Sequence, residues 1–438
     1  MTAEGGGPFA GLLIEGAAAV ATLAGGLRRG SSQAEVAIVA GDTAVAAWGD
    51  RLIAVGSAAD VERLIEAGGY PLESFARLDA AGGLVTPGLI DAHTHLVFAG
   101  TREGEWQMRA RGAGYLEILA AGGGILSTVA ATREASEKDL LAGARARLDE
   151  MLANGTTTAE AKSGYGLDTQ TELRQLEVIG RLDRAGPVQL VPTYLGAHAV
   201  APEFRGRPDA ADAYAAAVIG EQLPAVARQG IARFCDVFCE KGVFDPGQTA
   251  RVLEAARALG LALRVHADEL VPSGGAELAA ALGCLSADHL AAPSEEGVAA
   301  LARAADAGKP VVATLLPATS WFLGAHHFAP ARRFIDAGIP VALATDLNPG
   351  TSPTMSLPLV MSIACLEMGL TPAEALVAVT INAAHSIGLG AEVGSIEPGK
   401  QADLIVWDVP SVDQIPYWLG GRLVRSVVKR GRRVFGRD

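Results

Sequence analysis

Two histidines spaced two residues apart, His93 and His95, close the run Val85-Thr-Pro-Gly-Leu-Ile-Asp-Ala-His-Thr-His95. Imidazole nitrogens suit zinc and iron. On a strand the side chains alternate with a period of two, so both rings would project to one side. A His-x-His pair alone is a short motif that also occurs on surface turns. What gives it weight is that other apolar runs end in polar residues too. Leu261 to His266 ends in a histidine and continues to Asp268 and Glu269. Cys284 to His289 ends in another, and Ile339 to Asp346 ends in an aspartate.

His93, His95, His266 and Asp346 together offer nitrogen and carboxylate ligands for a single divalent metal ion, Zn2+ or iron, with a position left for water. Such an ion lowers the pKa of its water to about 7, which makes a hydroxide nucleophile available at neutral pH. Glu269, three residues past a ligand, is placed to exchange protons with water or substrate. His289 is placed to orient an attacked carbonyl or stabilise its oxyanion. Asp346 is a third candidate for proton transfer, and the roles of these three stay open at this level. Asp91 is expected to hydrogen-bond a ligand imidazole.

These residues must be brought to one face, and the patterning says how. Short apolar runs near 85–91, 156–163, 188–194, 232–238, 261–266, 284–289, 310–315 and 339–345 alternate with helical patterns near 137–153, 169–185, 212–229, 247–259, 294–307 and 371–386. The alternation predicts an α/β chain whose residues 85–390 form a closed (β/α)8 TIM barrel, with its site at the strands' C-terminal ends. Residues 1–84 read as short strands (11–23, 36–47, 52–56) and a helix at 59–67. Residues 391–438 return to strands at 402–407 and 423–428, with a hairpin turn at 429–432. The two ends are expected to form one small composite β-sandwich domain beside the barrel.

A net charge of −13 argues against a nucleic-acid partner, whose binders carry a basic face. Four scattered cysteines do not make a disulfide framework, and Cys235 and Cys239 sit in an apolar run as reduced core residues. No basic leader segment or 18-residue apolar span stands out, so a soluble, cytoplasmic protein without a membrane partner is expected.

The ligand pattern resembles the amidohydrolase superfamily, and Glu397-Pro-Gly-Lys-Gln-Ala-Asp403-Leu-Ile-Val is similar to that superfamily's return to its β domain. Some members hold two metals bridged by a modified lysine on strand four. The segment 232–240 contains no lysine, and Lys241 lies just past it, so one metal is the better reading.

The loops add a second set. Arg102 offers a planar fork for a carboxylate. Tyr115, Tyr165 and His198 follow on later loops, and Asn348-Pro-Gly350-Thr351 is a turn whose backbone N–H groups could face an anion. Lys162-Ser-Gly-Tyr-Gly166, Tyr194-Leu-Gly-Ala-His198, His266-Ala-Asp-Glu269 and Ala344-Thr-Asp-Leu-Asn-Pro-Gly-Thr351 resemble the imidazolonepropionases, an enzyme family within that superfamily. That resemblance implies hydrolysis of the cyclic amide of 4-imidazolone-5-propanoate to N-formimidoyl-L-glutamate, the third step of histidine degradation. It implies that Arg102, Tyr115, Tyr165 and His198 hold the substrate, with Glu269 near its ring. Asn348, Gly350 and Thr351 match positions that grip the product or the substrate carboxylate, and the resemblance implies a homodimer. Two other readings compete. A cytosine- or guanine-type deaminase shares the histidine pattern, although Arg102 and the tyrosines favour a substrate with an anionic tail. A catalytically silent homologue is disfavoured by the intact ligand set. His326 and His327 are read as loop residues over the barrel mouth rather than as ligands.

Overall fold

The computed structural model describes residues 10–113, 117, 121–325 and 327–437. Five strands come from the first part of the chain: β1 (Gly11–Ala21), β2 (Ile38–Trp48), β3 (Arg51–Ser57), β4 (Phe75–Asp79) and β5 (Leu84–Pro87). They join β14 (Leu404–Trp407), β15 (Val424–Lys429) and β16 (Arg432–Gly436) in one sheet, in the order β16-β15-β14-β5-β1-β2-β3, with β4 also paired to β1. Both chain ends therefore build it, as expected. Gly16, at a φ of +68°, sits where the β1–β2 register shifts between Ile14 and Ala17. A bulge of this kind bends a strand. Leu12, Ile14 and Val45 from one half of the sheet share a core with Val85, Leu404 and Val428 from the other. The opposite face packs Leu13, Ala46 and Phe75 under Val61 and Ile65 of the helix Ala58–Ala67.

Eight parallel strands make the second sheet: β6 (Leu89–Asp91), β7 (Thr156–Lys162), β8 (Gln189–Ala197), β9 (Phe234–Cys239), β10 (Ala262–Ala267), β11 (Ser286–His289), β12 (Val312–Leu315) and β13 (Val341–Leu343). The circle closes just past β6 and β13. Thr94 bridges Leu347, Asp346 N donates to His93 O at 3.1 Å, and His95 N donates to Leu347 O at 2.9 Å. These closing bonds join the two segments that carry three of the expected ligands.

One expected strand is two. The run 85–91 breaks at Gly88, so β5 belongs to the composite sheet and only β6 to the barrel. Thr157 fills the space a Cβ on residue 88 would take, while Gly88 N donates to Asp403 O and Leu89 N to Gly155 O. An apolar run carries no mark of where its backbone partners change. The helices Glu137–Ala153 and Thr169–Ala185 match expectation, whereas the helical pattern at 371–386 is two helices, Pro372–Ala378 and Ile381–Ser386. Each of the two long helices starts on a side-chain cap, Ser136 and Asp168.

Candidate metal centre

Every second residue of a barrel strand faces inward, and the inward row here is charged. Glu160 and Lys162 on β7, Asp236 on β9, Arg264 and His266 on β10 and Asp288 on β11 are all buried. Lys162 Nζ donates to Glu160 and Asp236, each at 2.8 Å. Arg264 donates to Asp288 at 2.8 Å and to the carbonyl oxygens of Ala92 and Ser386. With every charge paired, this layer can exist in a low-dielectric interior.

Four histidines and an aspartate stand at the barrel's C-terminal mouth. His93 Nδ1 bonds Asp288 Oδ2 at 2.7 Å, which turns its Nε2 toward the barrel axis, 3.5 Å from Asp346 Oδ1. His95 Nε2 is also 3.5 Å from that oxygen. His266 Nδ1 lies 3.0 Å from Asp236 Oδ2, while Asp236 Oδ1 accepts from the backbone N–H of the same histidine. Asp346 Oδ2 accepts from Thr319 Oγ1 at 2.6 Å. Asp346 and His289 adopt φ values of +53° and +73°, in the left-handed region. Non-glycine residues hold that region only where the surroundings enforce it, and such residues cluster at functional sites.

His93 Nε2, His266 Nε2 and Asp346 Oδ1 are buried and have no hydrogen-bond partner among the described residues. Buried polar atoms are rarely left so, because each forfeits its hydration. Three overlapping sets could each hold an ion: His93, His95 and Asp346; His93, His266 and His289; and His95, His198 and His266. The expected quartet is covered by these sets in combination rather than by one alone, and His289 and His198 stand within reach. Burial first, then neighbouring positive charge, holds His93, His95 and His198 well below the ordinary imidazole range. Neutral imidazoles keep the lone pair a metal needs. For His266 burial lowers the pKa, but Asp236 outweighs it and the net direction is up. The donor set and the orphaned atoms fit one divalent ion.

Glu269 and His289 face each other across the mouth, Oε1 to Nδ1 at 3.7 Å. Burial, helped by Asp346, pushes Glu269 up to about 8, and burial pulls His289 down to about 3. Both line the cavity that opens under Leu316, Thr319 and His327.

A sequence model of the amidohydrolase family matches residues 84–434. The imidazolonepropionase of Geobacillus kaustophilus (strain HTA426) is 57% identical over 81% of this chain and 82% of its own length. That of Alkaliphilus metalliredigens (strain QYMF) is 46% identical over 97% of both chains. The chain belongs to the imidazolonepropionase family. Solved structures share its fold at greater distance. A zinc-bound adenosine deaminase from Xanthomonas campestris has a TM-score of 0.68 at 19% identity, over 97% of this chain and 93% of that one. Guanine deaminase from E. coli has a TM-score of 0.66 at 15% identity, over 98% and 100%. At such identities the likeness bears on the fold alone.

Residues of the loops expected to hold substrate lie close to the centre. His198 stacks on His95, ring centroids 4.7 Å apart, with its Nδ1 3.0 Å from Gly164 O. Tyr165 is buried with its ring 5.6 Å from His95 and 5.4 Å from His198. Asn348 Oδ1 accepts from Gly350 N and Thr351 N at 2.9 and 2.8 Å, and its Nδ2 donates to Asp346 O at 2.7 Å. The turn's donors thus serve the turn itself, and through it the backbone of a ligand. Tyr115 and His326 lie outside the described residues. His327 is an exposed mouth residue in none of the ligand sets.

One expectation is corrected. Asp91 accepts from Thr345 N at 3.0 Å and Thr345 Oγ1 at 2.6 Å, not from a ligand imidazole. It faces β13 across the barrel seam; the carboxylate that bonds a ligand imidazole is Asp288, on His93, while Asp236 holds the His266 backbone and lies 3.0 Å from its Nδ1. Neither was singled out from the sequence, nor were Lys162, Arg264 and Thr319. Alternation was the available signal: Arg264 precedes His266 by two, and Glu160 precedes Lys162 by two. The fourth barrel strand, β9, holds no lysine, and Lys241 beyond it is exposed.

Proposed function

We infer that this chain opens the ring of 4-imidazolone-5-propanoate, adding water across its cyclic amide to give N-formimidoyl-L-glutamate. The observation that carries the reading is the convergence of unpartnered His93 Nε2, His266 Nε2 and Asp346 Oδ1 beside the Glu269–His289 pair, in a chain with imidazolonepropionase relatives along nearly its whole length.

His93, His95, His266 and Asp346 would hold one ion, zinc or iron. A divalent ion there supplies Lewis acidity and acidifies a water near neutral pH. The chain's own residues do the rest. Water oxygen bonds to the ring carbonyl carbon, the carbon–nitrogen bond breaks, and the departing nitrogen takes a proton. Glu269 carries that proton: pushed up to about 8 by burial, it can hold one at neutral pH and release it when a positive charge stands nearby. His289, neutral over the working range, polarises the carbonyl as a hydrogen-bond donor. Asp346 shares in proton transfer through its Oδ1, its other oxygen being held by Thr319. Arg102 takes the propanoate, with Tyr165 and His198 against the ring, and Tyr115 completes the set by family resemblance. Asn348, Gly350 and Thr351 shape the carboxylate end. Homodimeric assembly and a cytoplasmic setting are parts of the same reading that rest on the family alone.

Freshly prepared imidazolone propanoate should lose its ring absorbance in the presence of the metal-loaded enzyme and not after chelation. Ammonia release from a nucleobase, without imidazolone turnover, would overturn the reading in favour of a deaminase.

A further inference from the structure

The helix Glu103–Ala110, which follows the first ligand pair, carries groups that no step above uses. Arg102 caps it and Glu105 lies one turn on. The Glu105 carboxylate takes Arg102 Nε at 2.8 Å and Nη2 at 2.7 Å, a bidentate fork, and also accepts Gly124 N at 2.9 Å. Glu105 is only 9% exposed, so this pair is fixed in a way a solvated one is not. Arg102 Nη1 has no hydrogen-bond partner among the described residues, and the guanidinium occupies the space above Gly350 that a Cβ would fill. From the end of the same helix, Arg109 Nη2 donates to Gly350 O at 2.9 Å. Gly350 in turn is tied by Asn348 to the carbonyl of Asp346. A chain of direct contacts thus runs from Glu105 through Arg102 and Gly350 to the candidate metal ligand.

We propose that Glu105 and Arg109 are positioning residues for the substrate's carboxylate: Glu105 occupies one edge of the Arg102 guanidinium and aims the other, and Arg109 holds Gly350 against it. A guanidinium offers two hydrogen-bonding edges. Engaging the Nε edge removes the rotamer freedom a long side chain would otherwise lose on binding. The inference rests on the reading that Arg102 holds the propanoate, and the experiment separates the two.

Steady-state kinetics on metal-loaded wild type, Arg102→Ala, Glu105→Gln, Arg109→Met and the Arg102→Ala/Glu105→Gln double variant decide it. Glu105→Gln keeps the shape and an acceptor for Gly124, and should raise KM roughly tenfold with kcat within about twofold. Arg109→Met should raise KM in the same manner. Glu105→Gln should add nothing once Arg102 is absent, and should leave KM unchanged for the primary-amide analogue of the substrate. If Arg102→Ala raises KM while Glu105→Gln and Arg109→Met do not, the positioning role is overturned and the Arg102 reading stands. If Arg102→Ala itself leaves KM unchanged, that reading fails and the positioning role with it. Additive effects in the double variant, or an equal KM rise for the amide analogue, would mean that Glu105 serves the fold at large and would overturn the proposal.

Discussion

Asp288 Oδ2 receives His93 Nδ1 at 2.7 Å and Arg264 Nη2 at 2.8 Å, so one buried oxygen both turns a candidate ligand and anchors the charge layer beneath it. Asp288→Asn is expected to weaken metal retention about 10–100-fold, the usual cost of losing an imidazole's outer partner. It should also destabilise the fold by about 3–5 kcal/mol, since Arg264 loses its closest counter-ion. Metal content after dialysis against a competing chelator, with a urea unfolding curve, checks both. Wild-type retention would remove Asp288 from any part in the centre.

His266→Ala and Asp346→Ala should each lose bound metal and turnover together. Chelation of the wild type should do the same, and added Zn2+ or Fe2+ should restore activity. Elemental analysis beside the ring-absorbance assay follows the two quantities. Full activity in either variant would strike that residue from the ligand set.

Gly350→Ala puts a methyl group where the Arg102 guanidinium lies. The arginine must move, and kcat/KM should fall by a factor equivalent to roughly 1.5–3 kcal/mol, about as far as in Arg102→Ala, through KM. The metal content should not change. A Gly350→Ala enzyme with wild-type KM would place the propanoate elsewhere.

The buried histidines should make the metal-free protein sensitive to acid. His93, His95, His198 and His289 are held below their ordinary pKa, so below pH ~6.5 the unfolded chain takes up protons that the fold refuses. Bound protons are then more numerous in the unfolded state, the stability slope with pH is positive, and stability present above that pH is lost as pH falls. Each histidine contributes about 1.4 kcal/mol per pH unit between its two pKa values. Burial opposes them at the acids: Asp91 and Glu269, pushed up to about 7 and about 8, and Glu172 and Asp268, also raised, hold protons in the fold that the unfolded chain releases in this window. His266, raised by Asp236, acts above it, its stabilisation being fully present below pH ~6.5 and lost as pH rises through its folded pKa. Denaturant midpoints at pH 7, 6 and 5 measure the net slope, and replacing His198 by Asn should make it less positive; an unchanged slope in that variant would contradict a neutral buried His198.

What the sequence made legible follows from what periodicity encodes. His93, His95, His266 and Asp346 each close an apolar run, and strand ends converge in a barrel, so the centre could be assembled from the order of residues alone. Asp236, Asp288 and Thr319 were missed because their importance lies in which atom they face. A carboxylate inside an apolar strand reads as a blemish until its neighbour strand supplies Lys162 or Arg264. The Arg102–Glu105 pair was hidden differently: an i,i+3 pair on a short helix is ordinarily a solvated surface feature, and only burial distinguishes this one. The break at Gly88 was illegible because β5 changes partners to β14, far along the chain.

That last pairing also sets an order of events during synthesis. β5, at residues 84–87, has β14, at residues 404–407, as a neighbour, so its edge stays open until nearly the whole barrel has left the ribosome. At about 5–20 residues per second the wait is roughly a quarter of a minute to a minute. During that interval an apolar strand edge is available to the wrong partner. Chains truncated before β14 should therefore be caught by chaperones or aggregate, even with every metal ligand already made.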